Sequence, residues 1–123
     1  MKTLGYICGG PRVSTRPDAE NAAARNHVLG IMYGFEQKGW QLKHYILGDR
    51  VHRKASSSGS GGLASRTGFH RLAADIIRLL LRPVNMLKAW NELGAGVDMV
   101  YERFTCMQAV GRIFQKKGVP WIL

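Results

Sequence analysis

Short apolar runs alternate along the chain with longer series of spaced apolar positions, and that alternation predicts the elements. Thr3 to Cys8 carries Leu4, Tyr6 and Ile7 close together, as a strand covered on both faces does, since such strands need not alternate. Gly9-Gly10-Pro11 ends it; the glycines permit a tight turn and Pro11 cannot continue a ladder. Ala24, Val28, Ile31 and Phe35 then recur at the spacing of one helix face. Asp18 is the expected N-cap of that helix, and Lys38-Gly39 its stop signal. Leu42 to Leu47 reads as a second strand, ended by Gly48-Asp49. Residues 50–67 read as a flexible surface loop, low in complexity from Ser56 to Gly62. Leu72, Ile76, Leu79, Leu80, Leu87 and Trp90 keep to one broad face of a second, longer helix, with Thr67 as cap and Gly94 as close. Pro83 lacks a donor and clashes with the preceding turn, so a kink or break is expected near Leu81-Arg82. Val97 to Tyr101 is the third strand. Thr105 and Gln108 stand at capping-box spacing before a third helix with Val110, Ile113 and Phe114 on its apolar side. Lys116-Lys117-Gly118 stops that helix, and Pro120 opens a fourth strand.

The pattern is βαβαβαβ. Right-handed crossovers then give an α/β fold, a Rossmann-like parallel sheet with helices on both faces. The expected strand order is 3-2-1-4, with the first loop at the switch point between strands 1 and 4, where open α/β sheets bind ligands. Residues 1–123 make a single domain. Its last residues, Trp121-Ile122-Leu123, belong to a strand that needs cover on both faces. The domain is therefore expected to be incomplete, a fragment or a truncated gene product.

Charge narrows the partners. Eighteen Lys and Arg against eight Asp and Glu leave a net charge of +10, which calls for nucleic acid, anionic lipid headgroups or phosphorylated small molecules. The densest basic stretch runs from Arg50 through Lys54 and on to Arg66 and Arg71. It lacks interleaved aromatics, a Cys/His finger or a helix-turn-helix, so it reads as a solvated loop and nucleic acid is not expected. No apolar run approaches the ~20 residues that cross a bilayer. No signal-peptide core follows Met1, and a cytoplasmic protein is expected. Cys8 and Cys106 match no metal spacing and read as buried thiols rather than a disulfide. His27, His44, His52 and His70 show no ligand spacing, and no Ser/His/Asp set or close carboxylate pair presents itself. Neither a metal nor a cofactor is expected. Gly9-Gly10 is not a Gly-x-Gly-x-x-Gly fingerprint and no Gly-Lys-Ser/Thr loop is present, which argues against a nucleotide-binding oxidoreductase.

Three stretches carry a likeness to a known family. They are Gly5-Tyr6 through Pro11 to Pro17, Asn26 to Gly30 through Gly39-Trp40-Gln41-Leu42, and Val97 to Arg103 followed by Gly118 to Leu123. In their order and spacing the chain resembles the N-terminal half of the family 4 glycosyltransferases, retaining enzymes of the two-Rossmann-domain (GT-B) class. It departs from them at Ala22-Ala23, where the family often has Gly-Gly, and at Trp40, where it usually has His. The C-terminal half, which in the family holds the nucleotide-sugar, is not in this sequence. The resemblance implies an acceptor-side domain of a hexosyltransferase-type enzyme. When full-length, such an enzyme moves a sugar from a nucleotide-sugar, its substrate rather than a cofactor, to a sugar, lipid or other hydroxyl acceptor. The resemblance also implies that the isolated chain is inactive and that peripheral association with the inner, anionic membrane face is open to it.

The candidate substrate- and phosphate-binding residues are Gly9, Gly10, Arg12, Ser14, Thr15 and Arg16 in the first loop, with Glu102 and Arg103 closing the third strand. The arginines can grip a diphosphate bidentately. Ser14, Thr15 and Asp18 either meet acceptor hydroxyls or do turn and cap work. Glu102 and Arg103 either contact acceptor or pair within the protein. No residue is assigned a catalytic role. The alternative reading is a non-enzymatic basic α/β module that binds anionic ligands or a membrane surface.

Overall fold

The computed structural model describes residues 1–51, 68–105 and 108–123. The chain forms β1 (Thr3–Cys8), α1 (Ala22–Gln37), β2 (Gln41–Ile46), a single helical turn α2 (Leu47–Arg50), α3 (Gly68–Leu93), β3 (Met99–Arg103), α4 (Arg112–Lys116) and β4 (Trp121–Ile122). The expected class holds: this is an α/β chain with a four-stranded, all-parallel sheet. The loop expected over 50–67 and the Thr67 cap fall outside the described residues, apart from Arg50 and Val51, as does Cys106.

The strand order is β2-β1-β3-β4, not 3-2-1-4. The third strand lies on the far side of β1, instead of outside β2. Two local features put it there. Gly5 has no side chain, so Leu93, Val97 and Val100 close over it; a Cβ at Gly5 would sit 3.3–3.5 Å from their methyls. Asp98 then brackets Thr3: the Thr3 N–H donates to Asp98 Oδ2 at 2.6 Å and the Asp98 N–H to the Thr3 carbonyl at 2.8 Å. With β2 and β3 on opposite sides of β1, the two crossovers diverge from it. The switch point therefore stays at the end of β1, but lies between β1 and β3.

The central strand is buried along its whole length, and the two sides of the sheet have separate cores. Tyr6, Cys8 and Ile46 pack with Val28 of α1, beside Ile31 and Met32. On the other side Ile7, Tyr45 and Val100 pack with Ala89 and Leu93 of α3 and Phe114 of α4. The α1 face follows the predicted spacing, since Ala24 and Val28 are buried and Ile31 and Phe35 half-buried. The helix starts later than expected, however. Asn21 caps it, its Oδ1 accepting from the Ala24 N–H at 3.0 Å, so Asp18 does not.

Two expectations about the later helices fail. α3 runs unbroken for 26 residues through Pro83. Pro83 is exposed, and the carbonyl it leaves without a donor belongs to Leu79, itself an exposed residue. Nor does the predicted apolar stripe face the sheet: Leu72, Ile76, Leu79, Leu80 and Leu87 are exposed, while Asn85, Ala89 and Leu93 are the buried residues of α3. α4 is short, and the Thr105/Gln108 box does not cap it. Its leading N–H groups, from Val110 and Gly111, donate instead to the carboxylate of Glu102 on β3 at 2.8 Å each.

Candidate functional site

The switch-point edge is built by the loop from Gly9 to Asn21, the start of α1, the end of β3 and the α2 turn. The loop is held from outside itself. Asp49, the third residue of α2, accepts from the Ser14 hydroxyl at 2.6 Å, the Thr15 N–H at 2.8 Å and the Thr15 hydroxyl at 2.7 Å. The Arg16 guanidinium donates to the Asp49 carbonyl, and the Arg16 N–H to Ser14 Oγ at 3.1 Å. Arg25 of α1 closes the ring by donating to the Thr15 carbonyl at 3.0 Å. Burial alone would raise the Asp49 carboxyl. The donors from Ser14 and Thr15, with His44 nearby, outweigh it and hold the group below the usual Asp range. Gly48 lets the turn approach: a Cβ there would lie 1.9 Å from the Val13 carbonyl oxygen.

The eight predicted site residues therefore divide. Ser14, Thr15 and Arg16 are engaged by Asp49. Gly9 and Gly10 are buried, and their glycine character is explained by neighbours in the same chain. A Cβ on Gly9 would lie 3.0 Å from Gln108 Cβ, and one on Gly10 3.3 Å from Thr105 Oγ1. Arg103 donates to the Ala24 carbonyl at 3.1 Å, tying β3 to the first turn of α1. Arg12 is exposed, and among the described residues no hydrogen bond or ion pair holds its side chain.

Glu102 points the other way, into the α4 side of the sheet, where it is almost fully buried. Besides the Val110 and Gly111 N–H groups it accepts from Trp121 Nε1 at 2.9 Å. Burial pushes its carboxyl above the usual Glu range, against the pull of those donors and of Arg82. Gly111 is needed for this contact, because a Cβ there would lie 2.4 Å from Trp121 Nε1. One carboxylate thus joins β3, α4 and β4. Glu102 takes the internal one of its two sequence-derived roles.

Asp49 is the residue that sequence reasoning missed. Its one signal was Gly48-Asp49 directly after a strand, a pattern read there only as a strand end. Cys8, at the end of β1, is buried, and burial pushes its thiol up. No group of three or more His, Cys, Asp or Glu able to hold a metal occurs among the described residues. The edge carries the exposed Arg12, the head of α1 and the anchored guanidiniums of Arg16, Arg25 and Arg103, with the exposed Asp18 and Glu20 in the same loop. No family model, no curated protein and no solved structure matches this chain.

Proposed function

We propose that the chain is the acceptor-side domain of a family 4-like, GT-B glycosyltransferase, and that its switch-point edge forms one wall of the sugar-transfer cleft. The observation that carries this reading is the clamp of the first loop by Asp49, which fixes the loop after β1 through Ser14 and Thr15 while Arg25 ties α1 to the same loop. The resemblance in three stretches, the parallel sheet and the excess of positive charge all support the same reading. Retaining transfer to a hydroxyl depends largely on stabilising the departing diphosphate, and fixed cations and helix N–H groups suit that task. In this reading Arg12 meets the diphosphate, and Asp49, Arg16, Arg25 and Arg103 act as positioning residues. In this reading the nucleotide-sugar is held by a second domain, so the 123-residue chain does not turn over nucleotide-sugar alone.

Calorimetric titration with uridine diphosphate tests this directly. The expected result is weak binding that exceeds that of inorganic phosphate and falls about tenfold in Arg12→Ala, the size expected for losing one charge-assisted contact. Equal binding of the two anions, or no effect of Arg12→Ala, would count against the transferase reading. Turnover of a nucleotide-sugar by the chain alone would refute the division of the cleft.

A second reading draws on the same hydrogen bonds and on those of Glu102. Ser14, Thr15, Arg16 and Glu102 are already engaged within the protein, which suits a non-enzymatic basic module whose loop is structural. That module would bind phosphate and uridine diphosphate alike, and would lose both at high salt.

A further inference from the structure

Among the described residues, nothing covers the outward face of α3. Nine large apolar side chains between Phe69 and Leu87 are exposed, among them Phe69 at 77%, Leu80 at 69% and Leu72 at 59%. At 3.6 residues per turn, Leu72, Ile76, Leu80 and Leu87 fall on the side opposite Asn85, Ala89 and Leu93, the residues that face the sheet. The helix is amphipathic, with its apolar side turned away from the protein. Apolar side chains gathered on one exposed face mark an interaction surface.

Charge identifies the occupant. Lys88 is exposed beside Leu87, and Lys117, directly after α4, holds its ammonium 5.8 Å from the centre of the Trp90 ring at the far end of α3. Arg71, Arg78 and Arg82 supply the polar side, and the whole chain carries +10. A second copy docked on this face would bring another +10 against it, whereas an anionic surface gains from Lys88, Lys117 and the net positive charge. No helix among the described residues is long and apolar enough to cross a membrane, but a basic amphipathic helix suits the boundary between headgroups and acyl chains. The geometry points to an anionic lipid bilayer as the surface on which α3 docks, with Phe69, Leu72, Leu80 and Leu87 entering the acyl region. This inference is independent of the reading of the switch-point edge.

Co-sedimentation of the chain with vesicles tests it. Phosphatidylcholine vesicles with about one-third phosphatidylglycerol are expected to bind the chain, and pure phosphatidylcholine vesicles to bind it at least tenfold less. Raising salt from about 0.1 M to about 0.5 M should weaken the anionic binding severalfold. The double variant Leu72→Glu/Leu80→Glu should lose about tenfold or more in partitioning while keeping the wild-type melting temperature, because both side chains are exposed. Lys117→Glu should lose part of the anionic preference only. Equal binding to neutral and anionic vesicles, or undiminished binding by the double variant, would overturn the inference. So would a wild-type dimer in sedimentation that the double variant converts to monomer, with no vesicle binding by either.

Discussion

Asp49 governs a loop it does not belong to. Three hydrogen bonds from Ser14 and Thr15 converge on its carboxylate, and hydrogen bonds to a charged group are each worth about 1.5–3 kcal/mol. Asp49→Asn keeps the shape but loses the charge, and should cost about 2 kcal/mol in urea unfolding. The pH dependence has a definite sign. The folded Asp49 carboxyl lies below its usual value, so the unfolded chain takes up a proton first. The stability Asp49 contributes is therefore complete above its ordinary pKa and lost as pH falls through the folded one. Glu102 behaves oppositely: its folded carboxyl is raised, so its contribution is complete below the ordinary Glu value and lost as pH rises through the folded one. Urea midpoints followed from acid to neutral pH should show Asp49→Asn with a flatter acid limb. Glu102→Gln should lack the opposing slope. Gly48→Ala should cost more than Asp49→Asn, roughly 3 kcal/mol, because its methyl meets backbone rather than a side chain that can swing away. None of these contacts was readable from spacing. Asp49 lies 34 residues from Thr15, and a carboxylate that acts across such a gap leaves no local pattern.

At the scale of elements, local chemistry was legible and the choice of face was not. The stop signals at Gly39, Gly94 and Gly118 are all borne out, with φ of 79°, 70° and 82°, a conformation that favours glycine. The α1 periodicity is likewise reflected in burial, because a helix packed along its length against a sheet must bury one stripe. In α3 the same reasoning finds a real stripe but not its direction. Periodicity reports that a helix has two sides, and which of them meets the sheet depends on the small residues, Ala89 and Asn85, that allow close approach. The strand order had a signal that went unused. Gln41, Lys43 and His44 are polar and exposed, which marks β2 as an edge strand; an order of 3-2-1-4 would place it inside the sheet. Pro83 offers a test at this scale. It sits in an unbroken helix and withholds one hydrogen bond, so Pro83→Ala should raise stability by about 2 kcal/mol in thermal or urea melts. A loss of stability would mean that α3 depends on the proline for its path.

For the molecule as a whole, two surfaces compete to explain a charge of +10. One is the switch-point edge, with Arg12 and the head of α1; the other is α3, apolar outward with basic neighbours. They are separable, because the first predicts a ligand with phosphates and the second a bilayer. The parallel sheet and the position of the first loop at its switch point followed from the βαβ alternation, because right-handed crossovers leave few arrangements open. What the loop binds did not follow, since Ser14, Thr15 and Arg16 turn inward to Asp49, which leaves Arg12, Asp18, Glu20 and the helix start outward. The most direct test of the central claim is amide-resolved NMR during titration with uridine diphosphate. The account predicts shifts confined to residues 9–16 and 21–25 and the end of β3, and largely absent in Arg12→Ala. Shifts spread over α3, or none at the switch-point edge, would contradict it.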